Sequence, residues 1–99
     1  MNPLQNDERA VLGIGIGRAL RGGGVVISAV TEHAAKSGLR KGDVIRSIDG
    51  KRVRDGSNLL VLLAKREAGD KVKVGGLRES GEFEVEVELK QLNELQQAR

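Results

Sequence analysis

The chain has no cysteine, tryptophan or tyrosine, and only one proline and one phenylalanine among its 99 residues. Without cysteine there are no disulfides, thiol nucleophiles or thiolate metal ligands. Without exposed aromatic rings nothing is available to stack on bases, and the basic residues are scattered, so nucleic-acid binding is not expected. A core this poor in rings must be built from Leu, Val and Ile, and the length allows one domain with little space for a buried catalytic chamber. No apolar run is long enough to cross a bilayer, and Met1-Asn2-Pro3-Leu4 lacks the basic start and apolar stretch of a secretory leader. Direct membrane insertion is therefore not expected. Charge of one sign is also in small excess: 17 Lys and Arg against 14 Asp and Glu give +3, which favours solubility without implying a polyanionic partner.

The histidine count is equally restrictive. His33 is the only one, and no G-x-S-x-G elbow accompanies it, while Ser28 lies inside a β-type run. Glu32 and His33 offer at most two adjacent metal ligands where a stable zinc site wants about four. No catalytic residue, metal or cofactor is expected, and His33 reads as a solvated side chain on a short exposed helix.

Glycine, by contrast, is abundant, and its most informative use is Val11-Leu12-Gly13-Ile14-Gly15-Ile16-Gly17. Alternating apolar residues with interspersed glycines can bring a row of backbone N–H groups close to a ligand. A dinucleotide-binding G-x-G-x-x-G fails on spacing, because no glycine stands at 18 and Arg18 to Arg21 run straight into Gly22-Gly23-Gly24 without room for a helix. No Lys-Ser or Lys-Thr pair follows, which removes the phosphate-binding P-loop. The remaining use is a turn feeding a strand whose open edge can take a peptide.

Along the chain, Val11–Ile16 reads as a first strand and Val25–Val30 as a second. Thr31 caps a short helix ended by Gly38. Val44–Ile48 is a strand that turns at Asp49-Gly50, with Lys51-Arg52-Val53 returning beside it. The long helix runs from Ser57 to Glu67, ended by Gly69. Its apolar block spans more than one face, so Leu60 or Val61 is left partly uncovered and available to line a groove. Asp70–Val74 is a strand broken by Gly75-Gly76, and Glu82–Leu89 alternates with Phe83, Val85, Val87 and Leu89 on one face and glutamates on the other. Residues 1–10 read as a flexible lead-in, 11–89 as the domain, and 90–99 as a polar tail or linker helix. The expected fold is mostly β with two helices, a partly open five- to six-stranded barrel or sandwich capped by one short and one long helix.

This order strongly resembles a PDZ domain, and more closely those attached to bacterial serine proteases of the HtrA (Deg) family. The resemblance rests on Leu12-Gly13-Ile14, on Gly24-Val25-Val26-Ile27 with Val30, on the run from Ala34 to Ile45 that carries Ser37-Gly38-Leu39 and Gly42-Asp43-Val44-Ile45, on Asp49-Gly50 followed by Val53, and on Gly69-Asp70-Lys71-Val72. It implies a module that reads protein C-termini or extended peptides by strand addition, as a regulatory or substrate-recognition domain of a larger, extracytoplasmic or periplasmic protease. Other domains or subunits of that protease are further partners it implies. Carried onto this chain, Leu12, Gly13 and Ile14 are the carboxylate-binding loop, and Ile14, Gly15, Ile16, Asn58, Leu59, Leu60, Leu62 and Leu63 line the groove. The alternative is a structural or assembly domain whose groove is filled by its own chain or a neighbouring subunit. Two departures bear on the groove entrance: the proline often found before the short helix is missing, and Val11 stands where an aromatic often precedes the loop. Arg18 and Arg21 are candidates to assist an incoming carboxylate, or plain solvated charges.

Overall fold

The computed structural model describes residues 10–91; the expected lead-in to residue 9 and the tail from residue 92 lie outside the described residues. Two antiparallel sheets form. A two-stranded ribbon pairs β1 (Ala10–Val11) with β8 (Lys90–Gln91). The larger sheet runs in the order β2 (Ile14–Ala19), β3 (Val25–Val30), β4 (Val44–Ile48), β6 (Lys71–Arg78), β7 (Gly81–Glu88), with β5 (Lys51–Arg52) branching from β4. The sheets are not closed into a barrel, and β2 ends one side of the path with no further strand beside it among the described residues. Helix α1 (Glu32–Ser37) and helix α2 (Gly56–Ala64) complete the fold.

The core is aliphatic, as the absence of rings requires. Ile27, Ile45, Ile48, Leu59, Val72, Val74, Val87 and Leu89 are buried together, and Phe83 packs only against their edge. Alternation in β7 works as expected: Phe83, Val85 and Val87 turn inward, while Glu82, Glu84 and Glu86 are exposed. Helix α1 is capped as expected, with Thr31 Oγ1 accepting from the Ala34 N–H and Gly38 in the left-handed conformation at its end.

Three elements differ from expectation. The first strand is two, because the chain bends at Leu12-Gly13, where Gly13 has φ +83° and the Leu12 side chain is buried. The long helix is shorter, and Asp55 rather than Ser57 caps it by accepting from the Asn58 N–H. Finally, Gly75-Gly76 does not break β6. A Cβ on Gly76 would lie 1.8 Å from the Val44 carbonyl oxygen, so the glycine lets β4 and β6 approach where their register shifts between Ile45 and Ser47.

Among the described residues, buried charge appears once. Asp43 is 3% exposed and accepts from Arg78 Nη2 at 2.8 Å and from the Arg40 N–H at 3.0 Å. Arg78 also donates to the Gly38 carbonyl at 2.9 Å and stacks 4.1 Å from the Phe83 ring centroid. The segment Gly42-Asp43, legible in the sequence only as a turn, thus ties the β6–β7 hairpin to the end of α1.

Candidate functional site

The glycine bend between β1 and β2 sets the geometry. Thr31 grips the Gly13 carbonyl twice, from its N–H at 2.9 Å and its Oγ1 at 2.8 Å. A trans peptide places the next N–H opposite that carbonyl, so the Ile14 N–H points away from β3. The register agrees: with Thr31 donating to Gly13, Ile14 and Val30 form a non-hydrogen-bonded pair, whose N–H groups face outward. Among the described residues, the Leu12 and Gly13 N–H groups also have no acceptor within the fold. Three successive amides therefore precede or begin an open strand edge. Thr31 was legible only as a helix cap, and its hold on the loop is the contribution that sequence reasoning missed.

Helix α2 stands over this edge. A Cβ on Gly56 would lie 3.1 Å from Ile16 Cγ2, so the first turn of α2 rests on β2. At its other end the helix faces the β1–β8 ribbon across an opening. Val11, Leu60, Leu63, Ala64 and Glu67 line a cavity of about 900 Å³ together with Ala10, Gln91 and the last turn of the helix. Leu60 is 54% exposed beside it. Ile14 and Ile16 are half-buried and pack against the core from the strand side.

The expected groove residues therefore divide. Ile14, Ile16, Leu60 and Leu63 lie along the strand, the helix and the space between, although Leu63 is only 5% exposed and belongs mainly to the core. Leu59 is fully buried, and Leu62 packs against the core instead of lining the cavity. Gly15 presents its side-chain position to Ser28, whose Oγ would lie 2.7 Å from an added Cβ, so it offers only backbone to the edge. Asn58 is occupied by capping: its Oδ1 accepts from the Arg54 N–H at 2.8 Å while its own N–H donates to Asp55. Gly56, which had no sequence signal beyond its type, is the residue that brings helix and strand together. Arg18 lies four residues past Ile14 along β2, and Arg21 is in the turn beyond it, at the end of the strand away from the glycine bend.

His33 is not the solvated side chain expected. It is half-buried, and its Nε2–H donates to the Glu88 carbonyl of β7 at 2.6 Å. Among the described residues no group of three or more His, Cys, Asp or Glu side chains is placed to hold a metal ion. No helix among them is long and apolar enough to cross a membrane.

An antiparallel sheet with an open edge at β2, a glycine bend at the start of that edge and a helix standing over it define a small β-groove domain. The chain belongs to the PDZ domain family, whose model matches residues 11–89. It is similar to HtrA-type serine proteases. It is 36% identical over 81 residues to the magnetosome formation protease MamE of Paramagnetospirillum magneticum, covering 80% of this chain and 10% of that protein. It is 43% identical over 56 residues to the periplasmic pH-dependent serine endoprotease DegQ of Escherichia coli, covering 57% of this chain and 12% of that one. Among solved structures, the HtrA-type protease AlgW with a decapeptide superposes with a TM-score of 0.75 at 25% identity, covering 84% of this chain and 29% of AlgW. The chain thus spans roughly a tenth of the length of these sequence relatives.

Proposed function

We propose that this domain binds protein C-termini or extended peptides by adding them as a strand to the open edge of β2, with the Leu12, Gly13 and Ile14 amides holding the terminal carboxylate. The observation that carries this reading is the set of outward or unpartnered amides at the glycine bend, because converging backbone donors are the chemistry that a carboxylate requires. Ile14, Ile16, Leu60 and the exposed rim of Leu63 supply apolar walls. The solved AlgW complex with a decapeptide supports the reading by likeness of fold.

Within a longer chain, the domain serves as the regulatory or substrate-recognition part of an HtrA-like serine protease on the extracytoplasmic side of a membrane, as in the periplasmic relative DegQ. The test is equilibrium binding of matched peptides with free and amidated C-termini. A free carboxylate held by several amides is expected to bind at least about tenfold more tightly. Equal affinity for the two forms excludes the carboxylate loop.

A further inference from the structure

We infer that the groove is selective for peptides carrying acidic residues upstream of the bound end, read by a basic mouth formed by Arg18, Arg21 and Arg54. This rests on the peptide-groove reading and adds the chemistry of the ligand segment beyond the loop. A peptide whose C-terminus sits at Leu12–Ile14, where β2 begins, must run antiparallel to β2. Its upstream residues then pass Ile16 toward Arg18. From Ile14 to Arg18 is about 13 Å at ~3.3 Å per residue, so ligand residues four or more positions from the end reach the mouth.

The three arginines come from separate segments that the fold brings to this place. Arg18 follows Ile16 by two residues on β2, and Arg54 precedes Gly56 by two, while Gly56 and Ile16 are in contact. Arg21 lies in the β2–β3 turn, which is pinned to the segment leading into α2: the Gly24 N–H donates to the Val53 carbonyl at 3.0 Å and Arg52 Nη2 to the Gly22 carbonyl at 2.8 Å. Arg18, Arg21 and Arg54 are exposed. None of them takes part in the ion pairs among the described residues, which join Arg66 to Asp49, Arg78 to Asp43 and Lys90 to Glu88. The nearest acid in sequence, Asp55, is engaged as the α2 cap. The exposed glutamates Glu82, Glu84 and Glu86 lie on β7 at the opposite end of the sheet path. A modest net charge therefore conceals a positive mouth, and an acidic upstream segment complements it.

The test uses fluorescence anisotropy with three ten-residue peptides that share the same four apolar C-terminal residues and differ upstream, where they carry Asp and Glu, Ser and Gly, or Lys. At about 50 mM salt the acidic peptide is expected to bind about fivefold more tightly than the neutral one, and the lysine peptide more weakly than either. At about 500 mM salt the spread should fall below about twofold. In the triple variant Arg18→Ala, Arg21→Ala, Arg54→Ala the acidic-to-neutral ratio should drop to about one. Equal affinities at low salt overturn the inference and leave the peptide-groove reading intact, whereas binding by none of the three overturns that reading itself. An acidic peptide with a polar end that binds as tightly as its apolar-ended counterpart also overturns the inference, since it would mark a polyanion surface independent of the groove.

Discussion

The two ends of the main sheet path receive opposite treatment from their helices. At β7, helix α1 lies close: His33 donates to the Glu88 carbonyl, a Cβ on Gly38 would come within 3.1 Å of Val85, and Arg78 reaches from β6 to the Gly38 carbonyl. At β2, helix α2 rests on the strand through Gly56, and its later turns leave Leu60 more than half exposed beside a cavity that the β1–β8 ribbon helps to line. An unpaired strand edge invites another strand, and proteins ordinarily cover it. At the β7 end the helix packs on the strand and one side chain, His33, reaches its backbone at Glu88, while at the β2 end the Ile14 amide is directed outward beside the glycine bend. The difference teaches that stability and recognition draw on separate residues, so each can be damaged without the other.

The largest expected effect is at Gly76. Replacement by alanine places a Cβ against the Val44 carbonyl and should cost more than about 4 kcal/mol, seen as loss of the cooperative unfolding transition or a collapse of its urea midpoint. Next is Asp43→Asn, which leaves the Arg78 guanidinium partly buried beside a neutral group and should cost about 3 kcal/mol by denaturant unfolding. Peptide affinity of the fraction still folded should stay within about twofold, since Asp43 belongs to the closed end. Gly13→Val is smaller for stability, about 1–2 kcal/mol for a β-branched residue at φ +83°, yet it should remove the preference for a free over an amidated C-terminus. The smallest change in stability is Leu60→Lys, within about 0.5 kcal/mol because the side chain is already exposed, while apolar-ended peptides should bind about tenfold more weakly. Leu63→Lys is a poorer probe of the groove, because a buried position confounds binding with folding.

Legibility in the sequence followed the range of the cause. Val25–Val30, the Asp49-Gly50 turn, Thr31 with Gly38 around α1, and the alternation of β7 depend on local pattern and stand as expected. Leu12-Gly13-Ile14 could be singled out because a glycine inside an apolar alternation is itself a local anomaly. What escaped depends on contacts between distant segments. Gly75-Gly76 looked like a strand break, since nothing nearby in sequence announces that Val44 presses against it. Asn58 looked like a groove residue and is a cap, because Asp55 begins the helix two residues earlier than Ser57. His33, alone in the sequence, finds its partner 55 residues away.

The central claim, that the β2 edge accepts a strand while the β7 edge does not, is tested most directly by residue-resolved amide hydrogen exchange with and without a saturating free-terminus peptide. The account predicts that the Leu12, Gly13, Ile14 and Ile16 amides become markedly slower to exchange, that β7 amides from Glu82 to Glu88 are unchanged, and that amidating the peptide removes protection first at Leu12 and Gly13. Protection confined to β7, or binding that leaves the Leu12–Ile16 amides exchanging at their free rates, would contradict it.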